Sequence, residues 1–289
     1  MAEAMGFRAA LLQLTSSDDP EANLRDTRAL VREAAQGGAQ IVLTPEVTNC
    51  ISASRAMQET VLQTEADDST LAALRADAQA LGVWLLIGSL ALKTDDPDGR
   101  FANRSLLIGP DGGIAARYDK LHMFDVQVSD TETYRESAGF RPGTEAVVVD
   151  TTLANFGLSI CYDLRFAYLY RALAKAGAEV LVVPAAFSPV TGAAHWETLL
   201  RARAIETGCF VLAPAQTGRH SARDGRARAT HGHSMAIAPW GEVLLDMGTE
   251  PGLGFVQIEM DRILEARGRV PAIFHDRPLP APRIVKAGA

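Results

Sequence analysis

The sequence predicts a mixed α/β fold in which helices cover sheets of both parallel and antiparallel strands. Two observations carry that prediction. Short apolar runs alternate with longer amphipathic stretches along the 289 residues. Helical stretches separate some of these runs, while tight turns join others into hairpins that a purely parallel, doubly wound sheet would lack.

Residues 7–14 (FRAALLQL) read as the first strand. Asp18 or Asp19 caps a helix starting near Pro20, with Leu24, Leu30, Val31 and Ala34 on its apolar stripe and Gly37–Gly38 at its end. Residues 40–43 (QIVL) enter a second strand. A helix follows over 68–81, where Leu71, Leu74, Ala78 and Leu81 recur at helical spacing before Gly82, and then the strand 83–90 (VWLLIGSL). Residues 103–110 and 114–118, joined by a DGG turn, form a hairpin. The second half repeats the rhythm, with a strand at 156–160, a helix near 166–176, a strand at 178–184, a helix over 193–207 and a strand at 209–214. A hairpin over 233–247, a strand at 253–260 and a short helix at 261–267 complete it, before a Pro-rich extended tail around 278–282. No linker or internal repeat divides the chain.

Composition excludes several classes. Lys+Arg 28 against Asp+Glu 35 leaves a net charge of −7, which argues against nucleic acid as a partner. No apolar stretch approaches the roughly 20 residues needed to span a bilayer. The N-terminal MAEAMGFRAALLQL makes a poor secretion signal. Cys50, Cys161 and Cys209 cannot all pair within one chain, so a reducing, cytoplasmic setting is expected. Neither GxGxxG nor GxxxxGK[ST] occurs, and no Cys/His/carboxylate cluster completes a metal site around His231 and His233. No cofactor and no metal are therefore expected.

Four neighbourhoods place reactive groups at the ends of apolar elements. In IVLTPE, Glu46 follows a strand, either as a solvated loop carboxylate or as a base at a strand's carboxyl edge. In RYDKLHMFD, Lys120 sits among bulky side chains, where it either snorkels to water or stabilises developing negative charge. In FGLSICYDLRF, Cys161 ends a strand before a turn into a helix. It is either a buried structural cysteine or a nucleophile at an elbow where helix-start N–H groups favour a thiolate and an oxyanion. Asp163 and Arg165 read as a positioning pair or substrate anchor. Residues 189–206 carry His195 and Trp196, and a Cys161–His195 pair on the thiol-protease pattern is conceivable.

Glu46 in LTPE, Lys120 in YDKLHMFD and Cys161 in GLSICYDLRF together resemble the three catalytic blocks of the nitrilase, or carbon–nitrogen hydrolase, superfamily, in its order and over nearly the whole chain. Residues 191–220 and 231–244 are similar to the branch hydrolysing deaminated glutathione, with omega-amidases of 2-oxoglutaramate as the neighbouring branch. The resemblance implies a four-layer α-β-β-α sandwich in a single domain over 1–289, with an extended tail from about 271, and a homodimer or higher homo-oligomer. It puts Glu136, in RESAGFRPG, on the family's additional glutamate, and makes Arg165 and Thr191 anchors for a 2-oxo acid. The implied chemistry is hydrolysis of a primary amide. Glu46 acts as base, Cys161 attacks, Lys120 and the Tyr162 backbone N–H hold the oxyanion, ammonia leaves and a thioester is hydrolysed.

In the basic segment 219–228, Arg219, Arg223, Arg226 and Arg228 either face solvent or attract the distal carboxylates of a glutathione-derived amide. Asp119, Ala167 and Tyr168 depart from the family pattern, which commonly has Arg at the first position and Pro-Glu at the other two. Other readings are N-carbamoyl amide hydrolysis, nitrile hydrolysis, a non-catalytic metabolite-binding protein, and a papain-like peptidase with His195 as base.

Overall fold

The computed structural model describes residues 6–129, 132–225 and 227–285. The first half of the chain runs through β1 (Gly6–Gln13), α1 (Pro20–Gln36), β2 (Ile41–Leu43), α2 (Arg55–Val61), α3 (Ser69–Leu81), β3 (Trp84–Leu92), β4 (Ala102–Ile108) and β5 (Ile114–Asp119). A small hairpin, β6 (Asp125–Ser129) and β7 (Glu132–Arg135), leads into a 3-10 turn over Glu136–Ala138. The second half holds β8 (Val148–Asp150), β9 (Asn155–Leu158), a 3-10 turn over Cys161–Arg165, α4 (Ala167–Lys175), β10 (Val180–Val182), α5 (Pro189–Thr207) and β11 (Phe210–Ala213). It closes with β12 (Thr217–Arg219), β13 (Ala229–His231), β14 (Met235–Ile237), β15 (Val243–Asp246), β16 (Gly252–Glu259) and α6 (Asp261–Arg269).

Two six-stranded sheets result, one in the order β16-β1-β2-β3-β4-β5 and the other β15-β14-β11-β10-β9-β8. Each mixes directions as expected: β1, β2 and β3 are parallel and β9, β10 and β11 are parallel, while β16 and β14 join antiparallel. Side chains alternate across a strand, and β1 shows how this builds layers. Phe7, Ala9 and Leu11 enter the core shared with the second sheet, where Phe7 meets Phe156 at 6.0 Å between ring centroids. Ala10 and Leu12 face the other way, onto Val31 of α1 and Leu71 and Leu74 of α3. On the far side Leu169 and Leu173 of α4 and Trp196 and Leu200 of α5 pack on the second sheet. Helix, sheet, sheet and helix thus form the expected sandwich.

Local signals set the helix ends. Asp19 accepts from the N–H groups of Glu21 and Ala22 ahead of Pro20. Gly82 and Gly208 end α3 and α5 in the left-handed conformation, at φ 66° and 62°. The fifth helix starts at Pro189, four residues before the sequence-based start at 193, because Pro189 fits its first turn. After α6, Ile273 is buried, and Arg171 donates to the Ala272 carbonyl at 3.0 Å and pairs with Asp276. The tail is therefore pinned through Asp276, and residues 277–285 have no regular structure. No described helix is long and apolar enough to cross a membrane.

Candidate active site

The carboxyl ends of β2, β9 and β10, drawn from both sheets, converge on one crevice. Beyond β2 the ladder continues through Thr44 N–H to the Leu86 carbonyl (2.9 Å), and the chain then turns at Pro45. Gly88 makes this turn possible, since a Cβ there would lie 2.0 Å from the Thr44 carbonyl and 2.5 Å from Pro184 of the other sheet. Val47, just after Glu46, is held at φ 48° by a bond from its N–H to Ser89 Oγ at 2.8 Å. Cys161 is likewise left-handed, at φ 50°, with its N–H on the Pro184 carbonyl at 2.9 Å. Strain of this kind in non-glycine residues is often stored where side chains must be aimed. Lys120 follows β5, its N–H bonded to the Asn103 carbonyl at 3.0 Å.

These placements assemble a closed ionic cluster. Lys120 Nζ lies 2.8 Å from Glu46 Oε1 and 2.9 Å from each carboxylate oxygen of Glu136. Asn103 Nδ2 donates to Glu46 Oε1 at 2.8 Å, and the Ala186 N–H donates to Glu46 Oε2 at 2.8 Å. Glu136 is steadied by the Phe124 N–H at 2.6 Å. Glu46, Lys120 and Cys161 are all buried.

Burial alone pushes the Glu46 carboxyl up, but the charge and hydrogen bond of Lys120, with Arg228 further off, hold it below the usual carboxylate range. Burial pulls Lys120 down, yet Glu136 and Glu46 outweigh it and keep the ammonium charged well above the usual lysine range. Burial pushes the Cys161 thiol up and the neighbouring Glu46 charge adds to this, against Lys120. The five-residue 3-10 turn that Cys161 opens does not offset this desolvation. Cys161, its thiol raised, lines one cavity with Glu46, Lys120 and Glu136.

Asp163, fully buried, ties this arrangement together. It accepts from Tyr118 Oη (2.6 Å), the Ile160 N–H (2.9 Å), and the N–H and Nδ1 of His122 (3.0 and 2.7 Å). One carboxylate thus joins the segment after Lys120 to the elbow bearing Cys161. Asp163 and Arg165 are not a pair: Arg165 turns away, onto His195 Nδ1 at 3.3 Å and over the Tyr162 and Phe187 rings.

A cavity of about 530 Å³ opens above Cys161, within the roughly 300–1,000 Å³ of small-molecule sites. Glu46, Lys120, Glu136, Cys161, Tyr162 and Thr191 line it. Arg165, His195, Arg219 and Arg223 do not, and Arg223 instead pairs with Asp19 at the start of α1. Arg226 lies outside the described residues. His195 is accordingly no base for Cys161. Cys50 lines the same cavity, although burial pushes its thiol up to about 12. Cys209 sits in the core against the Ala178 carbonyl.

Sequence reasoning missed Asn103 and Ser188 at the cavity and named Arg228 only as one arginine of the basic segment; an asparagine inside an apolar strand was the available signal for the first. Asp119 pairs with Arg104 at 2.6 Å, which accounts for that departure. Tyr168 meets His122 through its hydroxyl, and Ala167 opens α4 where a proline would also fit.

A carbon–nitrogen hydrolase family model matches residues 8–268. A protein of Synechocystis sp. named deaminated glutathione amidase is 42% identical over 271 residues, covering 93% of this chain and 97% of the relative. The Homo sapiens protein of that name is 38% identical over 273 residues, covering 93% and 82%. Among solved structures, the C. elegans NitFhit protein superposes with a TM-score of 0.87 at 35% identity, covering 95% of this chain and 66% of that one. A glutamate-to-glutamine mutant of the amidase from Nesterenkonia sp., with the acetamide moiety of fluoroacetamide added covalently at its active-site cysteine, gives 0.75 at 26% identity, covering 91% and 94%.

Proposed function

The chain belongs to the carbon–nitrogen hydrolase family, and we propose that within it this protein hydrolyses an amide of a 2-oxo acid, with deaminated glutathione as the leading substrate. The observation that carries the mechanism is the ion-paired set of Glu46, Lys120 and Glu136, which shares one cavity with Cys161. Glu46 takes the thiol proton as Cys161 attacks the amide carbon. Charge develops on the former carbonyl oxygen, where the Lys120 ammonium and the Tyr162 N–H donate; Tyr162, second in its 3-10 turn, has no intrahelical acceptor. Glu46 returns the proton to the leaving nitrogen, a thioester forms, and a water activated by Glu46 releases the acid. Glu136, which grips Lys120 with both oxygens, fixes the ammonium.

The leaving group needs one refinement. Glutathione is joined by two secondary amides, so its deaminated form has no primary amide. The departing amine is cysteinylglycine; ammonia leaves only from 2-oxoglutaramate. The size of the cavity is compatible with either substrate.

The reading extends to one catalytic domain with the tail from about 271, in the cytoplasm, as a homodimer or larger homo-oligomer. Three unpaired buried thiols support a reducing compartment. Exposed Tyr168, Val190 and Ile205 on α4 and α5 support helical faces as the contact.

The test compares cysteinylglycine release from deaminated glutathione with ammonia release from 2-oxoglutaramate and from an N-carbamoyl amino acid at matched enzyme concentration. Deaminated glutathione is expected to give the highest kcat/KM, and preference for the carbamoyl compound overturns the assignment. Cys161→Ser is expected to remove most turnover in a folded protein. An acyl adduct on Cys50 or Cys209 moves the nucleophile.

A further inference from the structure

The cavity wall holds polar atoms for which the chain supplies no partner. Ser188, 2% exposed, precedes α5 without making a side-chain capping bond. Its hydroxyl, the Thr191 hydroxyl and Arg228 Nε are all buried without a hydrogen-bond partner, and all three residues line the cavity. Buried polar groups are so generally satisfied that each exception calls for an explanation.

Two contacts bring Arg228 to this place. Its Nη2 donates to the Ala186 carbonyl at 2.6 Å, and in the strand that follows it the His231 N–H donates to the Phe187 carbonyl at 2.9 Å. Gly192 permits the docking, since a Cβ there would lie 2.3 Å from the His231 ring. Arg228 rests over Tyr134 at 5.6 Å and forms no ion pair among the described residues. The other arginines of the wall are differently engaged. Arg55 pairs with Glu59 and donates to the Gly139 carbonyl, and exposed Arg135 donates to the Tyr134 carbonyl.

The same spot receives the start of a 19-residue helix. Pro189 has no N–H, and the N–H groups of Val190 and Thr191 precede the first intrahelical bond, from Gly192 to Ser188. A helix start of this kind favours an anion.

We propose that Ser188, Thr191, Arg228 and the first N–H groups of α5 form a carboxylate subsite for the acyl side of the substrate. This deepens the amidase reading and rests on it. Position decides which side of the amide it serves. Ala186 holds Arg228 through its carbonyl and Glu46 through its N–H, so the subsite is one residue's length from the base. That suits a carboxylate a few bonds from the carbon under attack, as in the 2-oxo acid end shared by 2-oxoglutaramate and deaminated glutathione. The glycine carboxylate of the leaving dipeptide lies on the other side of the scissile bond. Arg228, which the sequence offered only for the distal carboxylates, takes this role beside Thr191, whereas Arg165 does not line the cavity.

The test neutralises one carboxylate at a time. In the wild-type protein, methyl esterification of the 2-oxo acid end is expected to lower kcat/KM by at least about 30-fold, the low end for truncating a buried charge pair. Amidation of the glycine end of deaminated glutathione is expected to have a smaller effect. In Arg228→Gln the acid and ester forms converge, and Arg228→Lys retains part of the preference. An unchanged acid-to-ester ratio in folded Arg228→Gln, or a larger loss from glycine amidation, overturns the subsite. Calorimetric binding of 2-oxoglutarate in a Cys161→Ala background needs no turnover. Binding that disappears with Arg228→Gln supports the subsite even if neither amide is a substrate, an outcome that sinks the amidase reading alone. Undiminished binding in the double variant, or none in Cys161→Ala, overturns the subsite.

Discussion

The floor and the wall of the cavity are built on opposite principles. On the floor, Glu46, Lys120 and Glu136 meet in direct ion pairs, and Asn103, Ala186 and Phe124 donate to the carboxylates, with Asn103 Oδ1 left without a partner. On the wall, Ser188, Thr191 and Arg228 carry buried donors with no partner in the chain. A floor whose charges satisfy one another keeps its geometry whatever enters, which suits groups that must be aimed before the reaction begins. Donors left unmatched gain most from a ligand that supplies the missing acceptors. The chemistry is thus fixed by the chain itself, and selectivity is left to what binds.

The largest test of this contrast removes the floor's cation. Lys120→Met leaves the buried Glu46 and the half-buried Glu136 carboxylates without this counter-charge, and a loss of about 3–5 kcal/mol is expected along with activity. The pH dependence carries the sign. In the wild type Glu46 has a folded pKa below its unfolded value, so its contribution is present above the unfolded pKa and fades as pH falls through the folded one. Lys120 is raised, so its contribution is present below the unfolded lysine value and fades only as pH rises through the folded one. In the variant, burial, the largest influence on Glu46, is no longer opposed by the lysine. Its carboxyl then rises above the unfolded value and the variant gains from protonation. The difference in urea midpoint between the two proteins should narrow from pH 8 to pH 5, and a constant gap would show that this cluster does not hold the floor together. Because stability and chemistry fall together here, Cys161→Ser remains the cleaner probe of the reaction.

Asp163→Asn sharpens the comparison at the floor's edge. An amide keeps one acceptor oxygen, while its NH₂ must face groups that are themselves donors, Tyr118 Oη, the Ile160 N–H or His122. About 1–3 kcal/mol of stability should go. If Asp163 positions Lys120 against Cys161, kcat drops by about tenfold or more with little change in KM, since small misplacements of reacting groups are costly. A loss of stability with normal kcat leaves Asp163 a purely structural brace.

Most of the floor was legible from sequence, and most of the wall was not. Glu46 and Cys161 each follow an apolar run and Lys120 stands among bulky side chains, so each reactive group stands out, and the three blocks occur in a family's order. The strands of both sheets were readable for the same reason, because β1 alternates Phe7, Ala9 and Leu11 with Ala10 and Leu12. The wall has no period. Arg228 belongs to a loop whose other arginines are compositionally alike, and only packing separates it, docked on Ala186, from Arg223, paired with Asp19. Helix α2 and the β6–β7 hairpin escaped because α2 buries no residue and β6 and β7 pair only with each other. Ser188 was recoverable: Ser-Pro is a sound helix start, and reading it would have moved α5 to its true origin beside the cavity.

The smallest expected effect discriminates most directly between the two regions. Thr191→Val preserves shape and deletes a hydroxyl that has no partner in the chain. Stability should stay level or rise, by up to about 1 kcal/mol, because an unsatisfied buried group is lost rather than an interaction. KM for a 2-oxo acid amide should rise by several-fold, the worth of one hydrogen bond of about 0.5–1.5 kcal/mol. Gain of stability with loss of binding is the trade expected of residues shaped for a ligand rather than for the fold. Thermal denaturation and steady-state kinetics on the same preparation measure both. A fall in stability comparable to that of Asp163→Asn would mean that the Thr191 hydroxyl serves the fold, and the wall would then be built on the same principle as the floor.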